Sequence, residues 1–195
     1  MKAMDFSAKD GERINSFAVV SYLPDPLGAY LSALRVQLVP GCAALSHVTL
    51  LPPRPLEDPE QAWKQTVATL GDFHPFELEL GPVEVFPVTN VVYLSILKGF
   101  GNLVAMHEAL NRGAMHFAEP YRYHPHVTLA QELSAEQQAP VLARAQAAWE
   151  ACPHRRSYIV DPLYFVQNTI DSGSGQNIWV DLDRHHLAQA AVRIA

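Results

Sequence analysis

Apolar positions along the chain follow two rhythms, short β-branched runs and longer stretches at helical spacing. The run "SFAVVSYLP" (16–24) ends at a proline and predicts a strand. Asp25-Pro26 follows as an N-cap with proline at the first helical position, and Leu27, Tyr30, Leu31, Leu34 and Leu38 recur at the spacing of one helix face. "GCAALSHVTLLPP" supplies a glycine stop and a second strand, closed by Pro52-Pro53. Residues 57–73, "EDPEQAWKQTVATLGDF", repeat the capped helix with a glycine exit. Two strand-like runs come next, "FELELGPVEVFP" (76–87) and "NVVYLSILK" (90–98), broken by Gly-Pro and Thr-Asn.

The order of elements then restarts. "VVYLSIL" is a strand, "GNLVAMHEALNRG" (101–113) a helix closed by glycine, and "HPHVTLAQEL" a strand. "SAEQQAPVLARAQAAWEAC" (134–152) opens with Ser134 and Gln137 in capping-box spacing, with Pro140 as a potential kink. "SYIVDPLYFVQNT" and "NIWVDLD" finish the chain as strands, and "GSGQN" (173–177) between them reads as a hairpin turn. The two halves share more than their order. "HVTL" occurs at 47–50 and again at 126–129, with the histidines 126 − 47 = 79 residues apart. Pro82 stands 82 − 47 = 35 residues past the first histidine and Pro162 stands 162 − 126 = 36 past the second. The pattern predicts one domain spanning 1–195, built by internal duplication of units at roughly 16–90 and 91–183. Strands grouped between helices without strict alternation predict the α+β class.

Composition adds limits to this picture. At 195 residues and 49% hydrophobic, the chain is long enough for one well-cored unit. A formal charge of −6 argues against gripping a long nucleic-acid duplex by phosphate neutralisation, although a small or terminal anionic ligand remains compatible. Cys42 and Cys152 are too few and too far apart for a disulfide framework or zinc knuckle, and read as buried, inert thiols. The opening "MKAMDFSAKDGERIN" is charged where a secretory signal is apolar, and no run approaches the roughly 18 apolar residues of a membrane span. A cytoplasmic monomer without membrane contact is expected.

The repeated tetrapeptide carries the chemistry. Side chains on a strand alternate with period two, so His47 and Thr49 share one face while Val48 and Leu50 enter the apolar layer; His126 and Thr128 do the same. A lone histidine ordinarily reads as structural, but two at equivalent places in a duplicated fold read as halves of one site. One neutral imidazole can take a proton from a nucleophile while the other, charged, protonates a leaving oxygen across phosphorus. Threonine hydroxyls can donate to the equatorial oxygens.

With "SHVTLL" and "YHPHVTLA", the chain resembles the two-histidine (2H) phosphoesterase superfamily over nearly its whole length, specifically the LigT-like group of 2′-5′ RNA ligases and RNA 2′,3′-cyclic phosphodiesterases. The resemblance implies a bilobal α+β fold, with two pseudo-symmetric lobes of antiparallel-rich sheet and outer helices around a central cleft, and it implies no cofactor. His47 and His126 would be the acid and base pair, with Thr49 and Thr128 binding phosphate. For hydrolysis of a 2′,3′-cyclic phosphate, His126 is favoured as base and His47 as acid, and these roles exchange in the reverse ligation. A nucleotide or RNA end is the implied substrate.

One position departs from the family pattern: Gln131 stands where many relatives carry arginine, and Arg54, Arg122 or Lys98 are candidates for the missing charge. Tyr121, Tyr123, Phe86 and Phe165 are candidates for base stacking, with Arg54, Tyr123 and Phe165 taken as substrate-binding. Core packing is the competing reading of each aromatic. His124 and His126 share a strand face, but a third zinc ligand lacks a pattern, with His185-His186 the only other dense histidine source, so no metal is expected. No glycine-rich phosphate cradle occurs. A nucleotide-binding module of the same fold with little catalysis is the alternative to the enzyme.

Overall fold

The computed structural model describes residues 11–171, 173, 175 and 177–188. The charged segment 1–10, and Ser172, Ser174 and Gln176 of the expected glycine-rich turn, lie outside them. Among the described residues the order is β1 (Gly11–Tyr22), α1 (Leu27–Leu38), β2 (His47–Arg54), α2 (Pro59–Leu70), β3 (Phe76–Val85), β4 (Val92–Lys98) and α3 (Phe100–Leu110). A short 3-10 turn at Gly113–Met115 leads to β5 (Val127–Ala130), α4 (Ala135–Glu150), β6 (Ser157–Val160), β7 (Leu163–Asp171) and β8 (Asn177–His185).

The strands form two four-stranded sheets, ordered β2-β1-β7-β8 and β5-β4-β3-β6, with every pairing antiparallel. The fold is thus α+β with two lobes, as expected. The two orders superimpose if β1 matches β4, β2 matches β5, β7 matches β3 and β8 matches β6. The first half therefore sends β3 into the second sheet, and the second half sends β7 and β8 into the first.

That exchange corrects one reading. "SYIVDPLYFVQNT" is not one strand: β6 joins the second sheet and β7 the first. Pro162 lacks the N–H that a continuous ladder needs. Asp161 anchors the crossover, accepting the Leu187 N–H at 2.8 Å and lying 2.9 Å from His186 Nδ1. By contrast, Gly81-Pro82 does not end β3. The register shifts between Leu80 and Val83, and the freed carbonyls find other donors, Trp149 Nε1 on Gly81 at 2.9 Å and Ser95 Oγ on Pro82 at 3.2 Å.

Capping follows the local sequence closely. Asp58 accepts the Gln61 N–H at 2.9 Å, and Ser134 with Gln137 forms the full capping box, with α4 running on through Pro140. At α1 the helix starts one residue later than anticipated, and Asp25 Oδ1 accepts the Ala29 N–H at 2.9 Å. Gly28 is required there, because a Cβ would lie 2.1 Å from the Leu23 carbonyl oxygen.

One apolar core runs through both sheets, including Val19 and Leu50 from the first, Leu80 and Leu94 from the second, and Leu31 and Leu103 from the helices. Phe165 is sandwiched between Phe17 and Trp63, with ring centroids 5.5 and 5.0 Å away. Burying such a side chain contributes about 1.5–3 kcal/mol. The helices interlock the lobes, since α1 packs on β5 and α3 packs on β2. Cys42 and Cys152 are free thiols, half-buried and not fully buried as expected. No described helix is long and apolar enough to cross a membrane.

Candidate active site

β2 and β5 are edge strands of their sheets, and they contact each other. The cleft between the lobes therefore has a His-x-Thr motif on each side. Alternation holds as the sequence predicts: Val48, Leu50 and Val127 are 0% exposed and Leu129 1%, while His47, Thr49, His126 and Thr128 are partly open.

Each imidazole is fixed by its own backbone. His47 Nδ1 lies 2.7 Å from the Leu45 carbonyl oxygen, and His126 Nδ1 lies 2.7 Å from that of His124. A carbonyl can only accept, so Nδ1 carries the proton and Nε2 is left with its lone pair for chemistry.

Burial holds His47 well below the ordinary histidine value, at about 4; the bond to Leu45 acts upward, and the charges of Arg35 and His126 push further down. His126 is lowered by burial as well, raised by its bond to the His124 carbonyl and lowered by the charges of His124 and Arg35.

Two cavities meet at Thr49 and Pro53, which line both. The first, about 590 Å³, is mainly apolar and aromatic, with Phe86, Val88, Phe117, Tyr121, Tyr123 and His126 in its wall. Phe86 lies edge-on to His126 at 5.0 Å and stacks on Tyr93 at 4.0 Å. The second, about 510 Å³, brings together His47, Thr49, Thr128, Gln131, Arg35 and Asp181. Tyr22, paired with His47 across β1 and β2, donates its hydroxyl to Asp181 at 2.7 Å.

Thr49 lines both cavities, His126 and Tyr123 the first, and His47 and Thr128 the second. The Tyr123 hydroxyl is occupied, donating to the Thr49 carbonyl at 2.7 Å, while its ring stacks on His107 at 3.9 Å. Arg54 and Phe165 do not reach the cleft surface, which corrects their reading as substrate-binding residues. Phe165 is 0% exposed in the core, and Arg54 is 1% exposed. The Arg54 guanidinium donates to Pro52, Asn111, Met115 and Glu119, and so holds the α3-to-β5 connection to β2. Lys98 pairs with Glu77 at 2.6 Å on the surface, whereas Arg122 lines the aromatic cavity.

Sequence reasoning missed Arg35, Tyr22 and Asp181. Arg35 had a legible signal, because it sits on the same helical stripe as Leu31, Leu34 and Leu38. Among the described residues no group of three or more His, Cys, Asp or Glu is placed to hold a metal ion.

Each lobe of the α+β fold thus presents an imidazole and a hydroxyl at an edge strand. A family model described as the 2′-5′ RNA ligase superfamily matches residues 23–167. A Bacillus cereus (strain G9842) protein, provisionally named a phosphoesterase, is 32% identical over 147 residues, covering 67% of this chain and 85% of that protein. A similarly named protein of Bacillus cytotoxicus is 33% identical over 108 residues, covering 50% of this chain and 62% of that one. Crystal structures of E. coli LigT complexed with 3′-AMP and with NADP+ match with TM-scores of 0.61 and 0.60 at 19% identity, covering 92% and 93% of this chain and 100% of theirs. At that identity the likeness establishes the common fold. The chain belongs to the 2′-5′ RNA ligase superfamily.

Proposed function

We propose that the protein is a metal-independent phosphodiesterase that opens 2′,3′-cyclic phosphates or cuts 2′-5′ linkages at RNA ends or in small nucleotides, with His47 and His126 as acid and base. The observation that carries this reading is the matched anchoring of the two rings, each with Nδ1 on a backbone carbonyl and Nε2 left for the cleft. For hydrolysis, one Nε2 takes a proton from water as its oxygen attacks phosphorus, and the other imidazolium gives a proton to the departing ribose oxygen. His126 is assigned as base and His47 as acid. Thr49 and Thr128 donate to the non-bridging oxygens. Nucleotides bound by the fold's LigT neighbours support a small nucleotide substrate. The matching strand orders support one domain made by duplication.

The test is turnover of nucleoside 2′,3′-cyclic monophosphates with EDTA present. Activity that persists with EDTA and vanishes in both His47→Ala and His126→Ala, with native circular dichroism, supports the enzyme. Nucleotide binding without turnover by the parent protein would instead make it a binding module.

A further inference from the structure

Arg35 stands out among the cations of the described chain. It is 4% exposed, on the buried stripe of α1. The other buried arginine among the described residues, Arg54, is compensated by Glu119 at 2.6 Å. Arg35 has no ion pair among the described residues. Its Nη1 donates to the Thr128 backbone carbonyl at 2.6 Å, and its Nη2 approaches the half-buried Cys42 Sγ at 3.6 Å. Its Nε is buried and has no hydrogen-bond partner. A guanidinium does not lose its proton in proteins, so the charge remains. An isolated buried charge is retained at substantial cost unless something completes it.

Position says what would complete it. Arg35 forms part of the wall of the 510 Å³ cavity, beside His47, Thr49, Thr128 and Gln131. The bond to the Thr128 carbonyl ties the guanidinium to the backbone of the second His-x-Thr strand, while α1 belongs to the first half of the sequence. It shares that wall with His47, and its charge acts to lower both imidazoles. The carboxylate of Asp181 in the same cavity is on β8, the edge of the sheet opposite β2, and is engaged by Tyr22.

We infer that Arg35 is the charged half of a tetrahedral-anion seat, its guanidinium in the wall of the cavity offering positive charge to a phosphate held between Thr49 and Thr128. This rests on the proposed phosphoesterase reading for its substrate, but not for its anion. Arg35 thereby supplies from α1 the cationic contact that neutral Gln131 cannot make. It holds the anion while the histidines move protons, so it acts on binding and on transition-state charge together.

The experiment uses the full chain and inorganic phosphate as probe. In 15N-resolved spectra, the Arg35 Nε–H resonance shifts downfield and exchanges more slowly as phosphate is added. Arg35→Met, which keeps the stem, weakens phosphate binding by about tenfold or more, and methylguanidinium restores part of it. Arg35→Lys retains some affinity through its point charge. An unmoved Arg35 Nε resonance at saturating phosphate overturns the inference, and this needs no variant to fold. Undiminished phosphate affinity in folded Arg35→Met overturns it too, as does a parent protein that binds no phosphate. Phosphate binding that depends on Arg35 in a protein without turnover leaves the anion seat standing and removes the enzyme.

Discussion

His47 and His126 repeat one local geometry, each placing Nδ1 2.7 Å from the carbonyl oxygen of the residue two positions upstream. The bond fixes both ring orientation and tautomer. Neither imidazole depends on a distant carboxylate for its placement. Replacing either histidine therefore removes a proton carrier without unpairing a buried acid. His47→Ala and His126→Ala each lower kcat by about 10²- to 10⁴-fold, and thermal unfolding shows both variants folded.

The same two rings set a pH dependence. Above pH 6.5 the imidazole is neutral in both the folded and unfolded chain and contributes no slope. Between 6.5 and about 4 the unfolded chain binds the His47 proton and the native chain does not, so stability falls as pH drops through that window. Urea midpoints measured across it decline less steeply in His47→Gln than in the parent. A phosphate between the rings opposes the lowering, so its binding takes up protons. Calorimetry in buffers of different ionisation heat shows that uptake at pH values near 6.5 and below.

Arg54 belongs to stability. Its guanidinium meets Glu119 at 2.6 Å, and Glu119 also lies 3.5 Å from His107 Nε2. Arg54→Met leaves that carboxylate without its main partner and costs about 3–5 kcal/mol, read from urea unfolding. Phosphate affinity of the folded fraction stays at the parent value.

Tyr121 is 63% exposed at the aromatic cavity, and its ring supports little of the core. A nucleobase stacked there gains about 1–3 kcal/mol. Tyr121→Ala accordingly raises KM for a nucleoside cyclic phosphate by about tenfold, with kcat, stability and inorganic phosphate affinity unchanged.

What the sequence determined by itself is what depends on neighbours along the chain. Period-two alternation set the faces of His47, Thr49, His126 and Thr128, and short-range capping signals at Asp58 and Ser134 placed two helix starts. The repeated His-Val-Thr-Leu marked two strands, β2 and β5, that hold matching places in the two sheet orders. Tertiary structure decided everything that depends on which surfaces meet. The strand pairing leaves β2 and β5 as edges that meet, and the packing of α1 on β5 puts Arg35 against the Thr128 carbonyl. Arg54 and Arg35 illustrate the physical reason. Both are buried cations near the first motif, and nothing in their local sequence tells which has a carboxylate within reach; the fold gives Glu119 to one and sets the other in the wall of the second cavity.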